Sequence, residues 1–171
     1  VVGTWDTNSV KLYVDSSEGT PDTSAMMPTT IGSSSFDLGW HNSTSWLVLN
    51  ATFSDLRIFN EPLTSTQVTQ LYYEGLGSHQ EGIAVEKFSD NADQDPIAYW
   101  KFDEGVGSTV NDSTINNYQG SLGTTNSAPT WQSEDMCVSG KCLLFDGSND
   151  FVSINNNIND VKSAAFWMKT G

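Results

Sequence analysis

Apolar and polar residues alternate with a period of two in short runs along most of the chain. Residues 10–14 (VKLYV) and 151–154 (FVSI) are examples. Such a run turns one face toward a core and the other toward solvent, as a half-buried strand does. The runs are separated by stretches rich in Gly, Ser, Asn and Asp, which favour turns. The pattern predicts an all-β protein built from antiparallel sheets.

One segment departs from this period. In residues 64–73 (TSTQVTQLYY), Val68, Leu71 and Tyr72 recur at helical spacing. Gly75 follows as a stop signal. We predict one short helix of about two turns near 64–73, lying across a sheet edge.

A glycine-containing, acidic stretch divides the chain. Residues 76–96 carry only a brief apolar patch, which is typical of a linker. We therefore predict two segments, 1–75 and 97–171, on either side of this acidic linker. Three of its carboxylates are Asp90, Asp93 and Asp95. Their spacing is not that of an EF-hand, so solvated linker acids are favoured over a calcium site.

The charge balance narrows the classes of partner. The chain has 21 Asp and Glu against 7 Lys and Arg, a formal net charge of −14 at pH 7, and its basic residues are scattered singly. Nucleic acid and anionic membrane surfaces are therefore disfavoured, and divalent cations are favoured. No apolar run approaches the ~18 residues that span a bilayer, so we expect no membrane insertion.

The chain contains two cysteines. Cys137 and Cys142 bracket a short loop with a glycine, which suits a small disulfide ring. Free buried thiols are the alternative, and a zinc site would need two further ligands. The disulfide interpretation places the protein in an oxidising, extracellular or cell-surface compartment.

Several motifs carry a resemblance to a known family. Residues 97–105 (IAYWKFDEG), 110–113 (VNDS) and 140–152 (GKCLLFDGSNDFV) resemble the opening half of a laminin-G-like, concanavalin-type domain, and 165–169 (AFWMK) its following core strand. Within residues 1–75, the segments 2–6 (VGTWD), 10–15 (VKLYVD) and 53–64 (FSDLRIFNEPLT) resemble the closing half. The resemblance implies a concanavalin-like antiparallel jelly-roll β-sandwich.

The order of these halves is reversed, since the closing half precedes the opening half. The middle hairpins of the family appear in neither. Three arrangements are open: a window from a tandem array, a circular permutant, or a subunit whose sandwich is completed by a neighbour. We favour the tandem-array segment or the assembled filament or surface-layer subunit over the self-contained permutant, because half a sandwich exposes sheet edges.

The resemblance also implies a structural Ca²⁺ where the turn after the first strand meets the final strand. By that resemblance Asp112, with Asn116 or Asn117, would pair with Asp55 to hold the ion. Carboxylate and amide oxygens are suitable calcium ligands. The alternative is that Asp112 is an Asx-turn residue, hydrogen-bonded to its own backbone.

The tryptophans fall into two groups. Trp40, Trp46 and Trp131 lie in polar surroundings. Trp40 and Trp46, with His41 and Asn42 between them, predict a carbohydrate contact. The alternative is that they cap the sandwich end. Residues 146–150 (DGSND) predict a structural turn. The aromatic residues expected in the core are Trp5, Trp100, Phe102, Phe145 and Trp167.

These features predict a non-catalytic extracellular module that binds glycans or proteins, with structural calcium. The alternating Glu, Asp and Glu cluster that glucanases of this fold carry on one strand is absent from the sequence, as are the motifs of other hydrolases, so we name no catalytic residue. The alternative is a structural repeat of an extracellular filament or array, bound to copies of itself. Sequons for N-glycosylation occur at Asn42, Asn50 and Asn111.

Overall fold

The computed structural model describes residues 1–23, 30–31, 36–39, 49–77, 95–138, 140–154 and 156–170. The predicted all-β class is confirmed, because the described chain is dominated by antiparallel strands with one α-helix. Helix α1 spans Ser65–Gly77, and short 3₁₀ turns occupy Thr125–Ser127 and Glu134–Met136. Strands β1 to β14 span, in order, Val2–Trp5, Val10–Val14, Ser17–Glu18, Thr30–Ile31, Phe36–Leu38, Asn50–Phe59, Ala98–Trp100, Thr109–Val110, Gly120–Leu122, Thr130–Gln132, Cys142–Asp146, Val152–Ile154, Ile158–Asn159 and Ser163–Thr170.

The larger sheet has eight strands in the order β10-β11-β6-β14-β1-β2-β3, with β7 also paired to β6. Strand β6 pairs along one edge with β14, from Phe59 opposite Ser163 to Ala51 opposite Thr170. Its other edge pairs with β11 and then with β7, where Leu56 lies opposite Trp100. Strands from before and after the predicted linker therefore interleave in one sheet of a single chain.

The smaller sheet has four strands in the order β5-β12-β9-β8, and β13 pairs with β4 in a separate two-stranded sheet. The chain crosses from the larger to the smaller sheet between β11 and β12. Residues 146–150 make that connection, and Ser148 N–H donates to Asp146 Oδ1 at 2.8 Å in an Asx turn. The predicted turn is confirmed, and the two strands that it joins lie in different sheets.

One apolar core joins the two sheets in a sandwich-like arrangement. Its largest member, Trp100, has no exposed surface, and its ring meets that of Phe36 edge-on at 5.9 Å between centroids. The Trp100 indole N–H donates to the Tyr118 carbonyl at 2.7 Å, so its polar atom is satisfied. The larger sheet contributes Phe53, Leu56, Ile58, Leu143 and Phe145, and the smaller sheet contributes Val110, Leu122, Val152 and Ile154.

Helix α1 covers the opposite face of the larger sheet. Thr64 and Gln67 form a reciprocal capping pair, which explains why the helix begins at Ser65. A second apolar cluster lies under the helix, made of Val2, Tyr13, Phe59, Leu63, Val68, Leu71 and Ala165. Because the sheet residues of this cluster come from β6, β14, β1 and β2, which are all inside the sheet order, the predicted position across a sheet edge is wrong.

The helix is also longer than the predicted segment 64–73. Gly75 lies inside it, and a Cβ there would overlap the indole of Trp167. This glycine therefore allows close contact between helix and sheet and does not end the helix.

Four of the five predicted core aromatics are buried, namely Trp5, Trp100, Phe102 and Phe145. Trp167 is the exception, since it is partly buried and stacks on Tyr72 of α1 at 5.6 Å. Alternation along β14 puts Ala165 and Trp167 on the helix side and Phe166 on the inner side.

The Trp100→Phe variant tests the role of this buried indole. We expect the free energy of unfolding to fall by about 2 kcal/mol, because the Tyr118 carbonyl loses its donor and a small cavity opens. Urea unfolding monitored by circular dichroism measures the change. Ile115→Ala is the control, because Ile115 is fully exposed; equal losses in the two variants would contradict the assignment.

Candidate functional site

An apolar groove lies between the two sheets and is the main candidate for a binding site. Its volume is about 320 Å³. Strand β5 forms one wall, and β6 and β14 form the other, because β5 is the edge strand of the smaller sheet. The lining residues are Phe36, Asp37, Leu38, Gly39, Leu49, Phe53, Leu56, Ile58, Ala164, Phe166 and Met168. Asp37 is the one charged residue in this lining.

The rim of the groove is held by backbone contacts. Leu49 N–H donates to the Gly39 carbonyl at 3.1 Å, so the chain leaves and returns at one point of the rim. Gly39 has a φ of 113° and packs against the Asp150 carbonyl and the Phe145 ring. A side chain at this position would be strained and would overlap both neighbours.

The predicted ligand-binding residues belong to the segment that this contact brackets. Trp40, His41, Asn42 and Trp46 lie outside the described residues. The residues on either side of the segment, Gly39 and Leu49, both line the groove. The prediction of a carbohydrate contact at these positions therefore stays a prediction.

Asp150 supports the same rim from the turn after β11. It is 7% exposed, and its Oδ2 accepts the Asp146 N–H at 2.9 Å. Burial raises the pKa of this carboxyl, and the nearby Asp146 carboxylate acts in the same direction, while the backbone hydrogen bond opposes them.

Of the four residues predicted to bind calcium, Asp112 and Asp55 accept hydrogen bonds from opposite ends of Tyr99. Asp112 is buried, and its two oxygens accept four hydrogen bonds. Oδ1 accepts the N–H groups of Tyr99 and Thr114, each at 2.9 Å. Oδ2 accepts Thr114 Oγ1–H at 2.8 Å and Tyr118 N–H at 2.9 Å. Asp112 therefore forms an Asx turn, in which its side chain accepts the N–H of Thr114 two residues later.

The neighbouring asparagines are also engaged with protein groups. Asn116 donates its Nδ2–H to the Ile97 carbonyl at 2.9 Å. Asn117 Oδ1 accepts from Gln119 Nε2 at 3.3 Å. Among the residues that the structure describes, no group of three or more His, Cys, Asp or Glu is placed to hold a metal ion. Asp90 and Asp93 of the linker lie outside those residues.

Asp55 takes part in a second network, on the helix side of the larger sheet. It accepts the Tyr99 hydroxyl and lies 3.8 Å from Arg57 Nη2. Arg57 also contacts Glu74 of α1 at 3.3 Å and lies over the Tyr99 ring, 4.5 Å from its centroid. Burial raises the pKa of the Tyr99 hydroxyl, and the Asp55 charge adds to this effect.

Sequence reasoning did not find the residues Arg57, Tyr99 and Glu74 of this network. The sequence did carry a signal for an ion pair between Arg57 and Asp55. Arg57 is the only arginine of the chain and follows Asp55 by two residues on one strand. The contact with Glu74 depends on where α1 packs, which no local pattern reports.

The predicted disulfide is confirmed. Cys137 and Cys142 are bonded, with 5.6 Å between their Cα atoms. The bond closes the loop between β10 and β11, where Gln132 pairs with Cys142.

Two of the three sequons lie in described strands or turns. Asn50 is exposed at the start of β6, and Asn111 is exposed beside β8. Asn111 Nδ2–H donates to Glu104 Oε1 at 3.0 Å. Asn42 lies outside the described residues, and glycosylation at each position stays a prediction.

Comparisons of the chain with protein-family models, with curated proteins and with solved structures found no match. The laminin-G-like resemblance therefore stays a prediction from the motifs. Helix α1, the one α-helix of the described residues, is too short to cross a bilayer.

The Gly39→Ala variant tests the packing of the groove rim. We expect a loss of about 3 kcal/mol in the free energy of unfolding. The positive φ strains any residue other than glycine, and the added methyl group would overlap Asp150 and Phe145. Gly107→Ala is a matched control, because Gly107 has a φ of 83° with nothing within 4 Å of an added Cβ. The control should lose only about 1–2 kcal/mol. Similar losses in urea unfolding would count against tight packing at Gly39.

Proposed function

We propose that this chain is a non-catalytic extracellular binding module of laminin-G-like type, which binds a glycan or an extracellular protein at the groove between its sheets. The observation that carries the proposal is the open apolar groove whose rim, at Gly39 and Leu49, brackets the segment with Trp40 and Trp46. We propose the jelly-roll arrangement on the same basis, since two antiparallel sheets share one core.

The chemistry of the groove suits a partly apolar ligand. Ligand pockets are typically apolar with a few polar groups that set orientation. Here the walls are aliphatic and aromatic, and Asp37 is the single carboxylate. The C–H face of a sugar ring can pack on an indole, and an apolar protein side chain can fill the same space.

The distribution of carboxylates supports a binding role over hydrolysis. Three hollows in the described part of the structure each include one carboxylate, namely Asp55, Asp6 or Asp37. Glycoside hydrolysis by the common mechanisms needs two carboxyl groups facing one bond. Asp6 is further engaged, because its Oδ1 accepts the N–H groups of Asn8 and Ser9.

The disulfide bond supports an extracellular location. The Cys137–Cys142 bond requires an oxidising environment to form and persist. The net charge of −14 disfavours anionic partners, which leaves neutral glycans and proteins with basic or apolar surfaces as the favoured ligands.

Binding to a glycan array and to immobilised extracellular-matrix proteins tests the proposal. We expect Trp40→Ala and Trp46→Ala each to reduce binding at least tenfold, because the proposal assigns the aromatic contact with the ligand to these two residues. Tyr73→Ala is the control, since Tyr73 is an exposed aromatic on α1, away from the groove. Absence of binding to every glycan and protein tested, or equal binding by all variants, would reject the proposed site.

A second candidate function is favoured by one specific observation. Leu12 and Val14 of β2 are 53% and 51% exposed. Leu12 pairs with Gly3 and alternates with Tyr13, which faces the helix, so Leu12 lies on the inner face of the larger sheet. The inner face is therefore partly uncovered near β2, and we propose as the alternative function a structural repeat that a neighbouring copy completes.

Sedimentation of the chain at several concentrations tests this alternative. In buffer with enough salt to screen the negative charge, we expect concentration-dependent self-association that Leu12→Ser weakens. Val106→Ser is the control, because Val106 is an exposed apolar residue of a loop. A stable monomer across the whole range would exclude the structural-repeat function.

A further inference from the structure

The residues at the predicted calcium position form hydrogen bonds that a calcium site does not allow. A carboxylate has about four acceptor positions on its two oxygens. At Asp112 four protein donors occupy them, from Tyr99, Thr114 twice and Tyr118. The positive ends of these N–H and O–H groups point at the oxygens that a cation would need.

The nearby amide and carbonyl groups are engaged in the same way. The Ile97 carbonyl accepts from Asn116 Nδ2 at 2.9 Å. Ca²⁺ requires about 6–8 oxygen ligands that converge on one point. This turn instead directs its oxygens at its own donors.

Asp55, the remaining predicted ligand, does not meet Asp112 at a shared point. Asp112 accepts the backbone N–H of Tyr99, whereas Asp55 accepts the hydroxyl at the far end of the Tyr99 side chain. Asp55 also has a cationic neighbour, because Arg57 lies 3.8 Å from its Oδ1. The positive charge that calcium would supply is present as a guanidinium, which is held in turn by Glu74.

We infer that the junction of β6, β7 and the 112–118 turn is stabilised without calcium, by the hydrogen bonds of Asp112 and the Asp55–Tyr99–Arg57–Glu74 network. These residues connect a strand from the first segment with a strand and a turn from the second. The inference concerns the stability of the fold and is independent of the ligand proposed for the groove.

Thermal unfolding of the whole chain, in excess EDTA and in excess CaCl₂, tests this inference directly. We expect the same melting temperature in both buffers. A rise in CaCl₂ that is lost in Asp55→Asn or Asp112→Asn would overturn the inference. A rise that both variants retain would place calcium elsewhere in the chain and support the inference for this junction.

The Asp112→Asn variant in EDTA separates the two roles of the carboxylate. If Asp112 acts through protein hydrogen bonds, the variant melts at a lower temperature than the wild type even without metal, because the new amide N–H₂ faces two donors. If Asp112 serves only as a metal ligand, the two proteins melt together in EDTA, which would contradict the inference. Asp103→Asn is the charge-matched control, since Asp103 is exposed.

Thr114→Val provides a milder test in case Asp112→Asn fails to fold. It removes one of the four donors, Thr114 Oγ1–H, and keeps the other three. We expect a smaller fall in melting temperature in EDTA, in the same direction. An unchanged melting temperature would contradict the role given to the carboxylate.

Discussion

The architecture depends on the double pairing of β6. This ten-residue strand, Asn50–Phe59, bonds along one edge to β14 and along the other to β11 and β7. All three partners come from beyond the predicted linker. Because hydrogen bonds of a central strand are satisfied on both edges and its side chains are buried on both faces, β6 joins the two segments of the chain more firmly than a surface contact would.

The groove follows from the unequal size of the sheets. In the part of the chain that the structure describes, the larger sheet has eight strands and the smaller sheet four, so the smaller sheet does not cover the whole inner face of the larger one. Apolar residues of β6 and β14 remain accessible beside β5, and Leu12 and Val14 remain exposed farther along the sheet. An apolar surface that monomers seldom leave uncovered is a reason to look for a ligand or a neighbouring chain at this position.

The aspartate at the predicted calcium position belongs to a sequence motif that is compatible with two different roles. An aspartate after a short strand suits a cation and suits an Asx turn equally well, because both require carboxylate oxygens near backbone groups. At Asp112 three backbone N–H donors lie at 2.9 Å and the Thr114 hydroxyl lies at 2.8 Å. Only the spatial arrangement of Tyr99, Thr114 and Tyr118 decides between these roles, since two of these residues are several positions away in sequence.

The sequence by itself determined the local features, namely the antiparallel strands, the single helix, the disulfide and most of the aromatic core. Period-two alternation and a short cysteine spacing act over a few residues, so they can be read without knowing the fold. Tertiary structure alone decided that Trp167 faces α1, that Arg57 meets Glu74, and that the two segments share one sheet. These contacts join residues far apart in the chain, and their geometry is set by how whole strands and the helix pack together.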